Sequence, residues 1–320
     1  MKKNKIKDTG LEVTELSFGT SSLGSMPDTY GYEVSEDRAQ KTLNRFFQGP
    51  VNMLDTSRNY AMGESEKRIG KAIKENGGWP NGFLLSTKLD RNMDTLVLDK
   101  NRVRESLEES LKTLNVDSVD ILFLHDPEYA KDITDITKKD GAMDELFKIK
   151  NEGLAKAAGV AMGKVDIMFP LLKDWDFDVI INHNRYTLIN REANEMYDYA
   201  SSKNIAIFNA APYAGGVLAK GPDNFKKITY QDATEEKLAP AREFEKVCKK
   251  HNVELGAAAL QFSLRDNRIT STICGVTSVE SIEKNLAWAN TNIPEEFWNE
   301  VLKLPYSTKD PESERNFTPG

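Results

Sequence analysis

Cysteine is almost absent from this chain, with Cys248 and Cys274 the only two in 320 residues. Two cysteines build no disulfide framework, and neither stands at a metal-binding spacing. Histidine is nearly as scarce: His125, His183 and His251 are all there are, with no His-x-His pair. A metal-dependent hydrolase barrel, which gathers its ligands in such clusters, is therefore a poor reading. No run of about 18 apolar residues occurs, so no membrane-spanning helix is expected. Met1-Lys2-Lys3-Asn4-Lys5 is basic, but no apolar stretch follows as a secretory leader would require. An excess of positive charge is missing too, the formal net charge being −7. Nucleic-acid surfaces need clustered Lys and Arg, so none is expected. What remains is the expectation of a cytoplasmic, membrane-free protein, with no signal for oligomeric state.

What the chain does have is alternation. At 39% hydrophobic content, 320 residues can bury one large core. Asp8-Thr9-Gly10 reads as a turn between Ile6-Lys7 and Glu12-Val13, giving an N-terminal hairpin over about residues 5–14. Strands follow at Leu16–Thr20, Val51–Asp55, Phe83–Lys88, Ile121–His125, Lys156–Met162, Val179–His183, Ile205–Asn209 and Ser271–Val276. Helical patterns separate them. Ser35 is placed to cap one helix, Glu66 to Lys74 form another before Gly77-Gly78, and Val103, Leu107, Leu111 and Leu114 share one face of a third. Residues 221–237 read as a polar loop. Beyond Leu304 the tail over about 305–320 is polar, and is either mobile or laid over the barrel mouth. The fold class is α/β, a (β/α)8 TIM barrel, with residues 1–320 one domain. An open doubly wound sheet would need a Gly-rich fingerprint after its first strand, and Phe18-Gly19-Thr20-Ser21-Ser22-Leu23-Gly24 does not supply one.

Function in such a barrel gathers where the strands end. Asp55, Lys88 and His125 end the second, third and fourth strands, and Tyr60 lies in the loop after Asp55. Singly, each has a plain explanation: a helix cap, a surface aromatic, a solvated charge, a core histidine. Together on adjacent strands they form an acid–base device. A free phenol titrates near pH 10 and holds its proton tightly. Lys88 beside it would favour the phenolate, and lowering that pKa by about two units takes roughly 2.7 kcal/mol. Asp55 would hold Lys88 in place, and His125 would orient a substrate oxygen. This suits proton transfer to a carbonyl or alcohol, with hydride transfer to or from a nicotinamide as the partner step.

Asp55-Thr56-Ser57-x-x-Tyr60-x-x-Gly63-x-Ser65-Glu66, Ser86-Thr87-Lys88 and Val119-Asp120-Ile121-Leu122-x-x-His125 resemble the aldo-keto reductase signatures, with likeness from about Leu11 to Leu304. The resemblance implies that Tyr60 is the general acid–base, that Lys88 and Asp55 tune it, and that His125 positions substrate. His125-Asp126-Pro127-Glu128 and Arg185-Tyr186-Thr187-Leu188 are similar to segments of aldose dehydrogenases (D-threo-aldose, L-fucose or L-galactose type) and pyridoxal dehydrogenases. It further implies an NAD or NADP cofactor, NAD slightly favoured, and a small sugar or aldehyde substrate. A cofactor-sensing regulatory subunit on the same barrel is the alternative.

Implied cofactor contacts are Gly19, Thr20, His183, Ala210, Pro212, Gly216, Leu218, Gly275, Thr277 and Asn285. Ala161 and Met162 stand where many members place Ser-Asn, and Ala210 where an aromatic residue usually stacks on the ring. His183 replaces a usual Gln, and either contacts the carboxamide or is structural. Thr277 or Ser278 would cap a helix whose N-terminus favours an anion. Gly275, Val276 and Ser281 occupy positions where NADP-preferring members carry Lys or Arg. Tyr30, Tyr32, Tyr129 and Tyr306 are available to stack on a sugar ring.

Overall fold

The chain begins by closing its own floor. In the computed structural model, which describes residues 1–315, β1 (Lys3–Lys5) pairs antiparallel with β2 (Glu12–Thr14), Lys3 opposite Thr14. The hairpin starts earlier than expected because the turn takes up Ile6 through Leu11: Ile6 N donates to Leu11 O at 3.0 Å, and Lys7 and Gly10 adopt positive φ of 43° and 77°. Ile6, Leu11 and Val13 join Met53, Leu84, Ile121 and Phe123 in the apolar cluster that fills the barrel's bottom.

The barrel strands are β3 (Leu16–Gly19), β4 (Met53–Asp55), β5 (Leu84–Leu89), β6 (Val119–His125), β7 (Ala155–Met162), β8 (Val179–His183) and β9 (Ala206–Ala210). A small pair, β10 (Lys227–Ile228) and β11 (Gln231–Asp232), precedes the last, β12 (Ile269–Gly275). They close in the order β12-β3-β4-β5-β6-β7-β8-β9, with every neighbouring pair parallel. This is the expected TIM-type barrel. Strand ends differ from the reading by a residue or two, because neighbours decide where pairing starts. β4 begins at Met53 rather than Val51, since Asn52 turns its side chain to the hairpin and accepts from Thr14 N at 2.8 Å.

Helices pack outside. Ser35 caps Glu36–Phe47 by accepting from Arg38 N at 3.2 Å, and Ala39, Leu43 and Phe46 on that helix are buried. Asp99 caps Lys100–Leu114, which buries Val103, Leu107 and Leu114 and ends on left-handed Asn115. Its outer charges pair with neighbours, Arg104 with Glu152 at 2.6 Å for one, and such surface pairs contribute little. The 221–237 region is not all loop: it carries β10 and β11, and Thr234 caps a helix over Glu235–Lys250.

The tail lies across the barrel mouth as far as it is described; residues 316–320 fall outside that range. Ser307 exchanges backbone hydrogen bonds with Ile189 and Arg191 at 2.9 and 2.8 Å. Arg185, buried under the tail, pairs with Asp310 at 2.6 Å and with Glu312. Among the described residues no helix is long and apolar enough to cross a membrane.

Helix Glu64–Glu75 meets Lys100–Leu114 at Gly70, where an added Cβ would lie 2.0 Å from Thr113 O. Gly70→Ala should therefore separate the two helices and destabilise the protein by about 1–3 kcal/mol, read as a lower urea midpoint at unchanged slope. An unchanged midpoint would mean that this contact yields freely.

Candidate active site

Asp55 closes β4, Lys88 stands one residue from the end of β5, and His125 closes β6. Asp55 lies beside Ser86 in the β4–β5 register, and Lys88, two residues on, shares the inward face. Lys88 Nζ donates to Asp55 Oδ2 at 2.7 Å and to Thr56 O at 2.6 Å, and Ser86 Oγ donates to Asp55 Oδ1 at 2.9 Å. The third donation from Lys88 goes to the Tyr60 oxygen at 3.0 Å. Lys88 is only 2% exposed, so these partners replace its water.

Tyr60 reaches this place through a strained turn. Ala61, Met62 and Gly63 follow it at φ 51°, 54° and 91°. For the two non-glycine residues that region costs roughly 1–2 kcal/mol each. Burial drives the Tyr60 phenol well above its ordinary range, and the Asp55 carboxylate adds to the rise. This corrects the expectation that Lys88 would favour the phenolate. The Lys88 charge is already matched by Asp55, so the phenol feels a buried pair, not a free cation.

His125 packs edge-on against Tyr60, with ring centres 5.7 Å apart. Its Nδ1 meets Asp90 Oδ1 at 2.6 Å. The other Asp90 oxygen accepts from Ser57 Oγ at 2.6 Å and from Asn59 N at 3.0 Å. Burial opposes charge on both partners. Even so, Asp126 and Asp90 hold the imidazole above its ordinary range, and His125, Ser57 and Asn59 hold Asp90 below the usual carboxylate range. Asp90 carries no mark of this contact in sequence, although it lies two residues past Lys88, just beyond the end of β5.

These groups sit in one cleft of about 530 Å³. Of the ten expected cofactor residues, Gly19, His183, Ala210, Gly216, Gly275, Thr277 and Asn285 line it. Thr20, Pro212 and Leu218 are buried and stand outside its wall. Thr20 Oγ1 instead donates to Asp55 O at 2.9 Å, bracing β4 from behind. Ser278 rather than Thr277 caps the helix Val279–Asn290. Ser281 Oγ accepts from Thr277 N at 2.9 Å and Ser278 N at 3.0 Å. An added Cβ at Gly275 would meet nothing within 4 Å. With Ala161, Ala210 and Ala211 also in the wall, the cleft has room for a flat, extended ligand beside the barrel rim.

His183 is held down from its ordinary range by burial, helped by Arg185 and opposed by Glu312, and so is neutral. Its Nδ1 faces donors, Asn184 Nδ2 at 3.3 Å and Arg185 Nη1 at 3.5 Å. Tyr30 and Tyr32 line the cleft, but Tyr129 and Tyr306 do not. Arg191 lies 3.8 Å over the Tyr306 ring outside it. Tyr213, Tyr230, Trp288 and Arg315 also line the cleft, and the last three carry no mark of it in the sequence. Tyr213 donates to Asn285 Oδ1 and packs edge-on to Trp288 at 5.6 Å. Among the described residues no cluster of three or more His, Cys, Asp or Glu is placed to hold a metal.

A closed parallel barrel with this rim defines an oxidoreductase class, and the chain belongs to the Aldo/keto reductase family, whose model matches residues 15–304. It is 31% identical over 284 residues to L-galactose dehydrogenase of Arabidopsis thaliana, covering 88% of this chain and 85% of that one. To D-threo-aldose 1-dehydrogenase of Pseudomonas sp it is 27% identical over 320 residues, covering 92% and 94%. Its fold superposes on the holo form of an aldo-keto reductase from Bacillus halodurans with a TM-score of 0.79. That alignment is 21% identical and covers 99% of this chain and 100% of the other.

Lys88→Met leaves the Asp55 carboxylate buried without its cation and should cost about 3–5 kcal/mol of stability. Adding Asp55→Asn should recover part of that loss in a double-mutant cycle by urea unfolding. Strict additivity would mean that the two charges do not depend on each other.

Proposed function

We propose that this chain is an NAD(P)-dependent dehydrogenase of small polyhydroxy compounds, aldoses foremost, with Tyr60 as the acid–base group. The observation that carries this reading is the Tyr60–Lys88–Asp55 chain of contacts at 3.0 and 2.7 Å, with Lys88 and Asp55 buried and half-buried Tyr60 opening on a cleft. The similarity to two sugar dehydrogenases supports the substrate class. Asp126 and Arg91 at the same end of the cleft supply an acceptor and a donor for neighbouring hydroxyls, and Tyr30 and Tyr32 supply apolar ring faces.

Bound nicotinamide would accept or deliver the hydride. Every other part belongs to the chain. Lys88 donates to the Tyr60 oxygen, which leaves the phenolic hydrogen free to point at a substrate oxygen in the cleft. Because the resting phenol keeps its proton, it is ready to give one to a carbonyl; oxidation of a hydroxyl runs the same transfer in reverse, with the phenol first losing its proton and the phenolate then taking the hydroxyl's. His125 holds the same oxygen from the other side. Gly19, His183, Ala210, Gly216, Gly275, Thr277 and Asn285 would hold the dinucleotide, with His183 offering a neutral ring to the carboxamide. Thr20, Pro212 and Leu218 support those loops from behind.

NAD is favoured over NADP. Gly275 and buried Val276 bring no cation, and the Ser281 hydroxyl is spent within its own helix cap, donating to Ser278 O at 2.7 Å. Lys284, in the wall beside Ser281 and Asn285, lies 4.6 Å over the Trp288 ring. A 2′-phosphate thus lacks the forked guanidinium that binds it best. The free, buried state of both cysteines supports a cytoplasmic setting. The intact tetrad supports catalysis over a purely regulatory role.

Tyr60→Phe should lower kcat about 10²–10⁴-fold with L-galactose or L-fucose while sparing cofactor binding, followed by tryptophan quenching. Full activity would remove Tyr60 from the chemistry. Steady-state KM values should show NAD competing with or surpassing NADP; a hundredfold preference for NADP would overturn the cofactor assignment.

A further inference from the structure

Two histidines face the same cleft, and their surroundings hold them differently. His183 presents Nδ1 to donors, the Asn184 amide at 3.3 Å and the Arg185 guanidinium at 3.5 Å. In a neutral ring Nδ1 must then accept, and the proton sits on Nε2. His125 presents Nδ1 to a carboxylate, Asp90 Oδ1 at 2.6 Å. A carboxylate only accepts, so Nδ1 must donate and carries the proton even when the ring is neutral. The Asp90 carboxylate is fully buried and held from behind by the Ser57 hydroxyl at 2.6 Å and Asn59 N at 3.0 Å. Ser57 Oγ also lies 3.2 Å from His125 Nδ1, but its proton is engaged by Asp90.

We propose that Asp90 is a positioning residue that fixes the Nδ1 proton of His125, so that the Nε2 facing the cleft donates a hydrogen bond only when the ring is an imidazolium and accepts one when it is neutral. The proposal rests on the dehydrogenase reading for its purpose, not for its geometry. The imidazolium suits a carbonyl oxygen, which can only accept. The neutral ring suits a hydroxyl, which can donate. A bound hydroxyl has a hydrogen to give to neutral His125 Nε2 and a bound carbonyl has none, so the protonation of His125 biases which oxidation state of substrate binds. Proton transfer stays with Tyr60, which gives its proton to a carbonyl and, as the phenolate, takes one from a hydroxyl. A histidine fixed as His183 is would donate from Nε2 in both states and would make no such distinction.

The titratable groups around His125 are Asp90 just past β5, Asp126 just past β6, Lys88 near the end of β5, Tyr60 in the loop after β4, and His183 in the same cleft wall. Asp126 Oδ2 lies 3.8 Å from Nε2, so it favours the cation without touching Nδ1. Asp126 mainly affects when the ring titrates; its distant oxygen also favours a proton on Nε2, but the 2.6 Å contact with Asp90 outweighs it and keeps the last proton on Nδ1.

The test is long-range ¹H–¹⁵N NMR of histidine-labelled full-length protein across pH, with His125→Gln for assignment. In the unmodified protein, neutral His125 should show a protonated Nδ1 and a bare Nε2. Finding the proton on Nε2 there overturns the proposal without any Asp90 variant. In Asp90→Asn, Asn59 N still requires an acceptor at its side, which turns the amide nitrogen toward His125. The neutral ring should then move its proton to Nε2, and the titration midpoint should fall by about one pH unit or more. Asp126→Asn should lower the midpoint but leave the proton on Nδ1. An unchanged tautomer in Asp90→Asn overturns the proposal. His251, paired with Glu300 at 2.8 Å away from the cleft, reports that each variant is folded. Because the readout needs neither cofactor nor turnover, failure here and failure of the dehydrogenase reading are separable.

Discussion

Removing the Lys88 ammonium from water is the constraint on which the rest of this site depends. Burying such an ion costs several kcal/mol, and only good geometry with full hydrogen bonding offsets it. Asp55, the Thr56 carbonyl and the Tyr60 oxygen take its three donations. Ser86 takes the remaining Asp55 oxygen. The arrangement is possible because β4 and β5 pair with Asp55 beside Ser86, and that register is held by barrel closure. A slip of one residue would turn Lys88 outward and leave Asp55 buried without a partner. Fold and chemistry are therefore coupled through a single pair of strands.

Burial also determines what the pair does to Tyr60. A cation in the open would draw the phenol toward ionisation. Here the cation arrives already matched, and the low-dielectric surroundings dominate. The site thus keeps its proton on the phenol and concentrates its titration on His125, whose two carboxylate neighbours offset the cost of burial. At His183 burial, helped by the Arg185 guanidinium, outweighs the Glu312 carboxylate and holds the ring down from its ordinary range. Two imidazoles at one rim consequently differ in how readily they take a proton, because of what stands behind each ring.

The mouth of the cleft is assembled from distant parts of the chain. Arg185 after β8 pairs with Asp310 and Glu312, drawing the tail over the rim and bringing Arg315 into the wall. Tyr230, from the turn between β10 and β11, packs edge-on to Tyr30 at 5.8 Å, so the segment after β3 meets the one after β9. An isolated Arg, Glu or Tyr in a polar stretch carries no mark of such a partner.

Alternating apolar runs and caps made the barrel legible, because period and capping are local properties of sequence: Ser35 and the Val103-to-Leu114 face act as written. Asp55, Tyr60, Lys88 and His125 were legible because they end or follow those runs. Strand boundaries shifted where a neighbour competed for a backbone group, as at Asn52. Tertiary structure alone decided the Asp90–His125 contact, the place of the tail and the proton retained by Tyr60. Each depends on which groups exclude water from one another, and that is a property of residues far apart in the chain. Sequence by itself thus determined the order of elements and the types of reactive side chain, and the closed barrel decided their burial, their proton affinities and their neighbours.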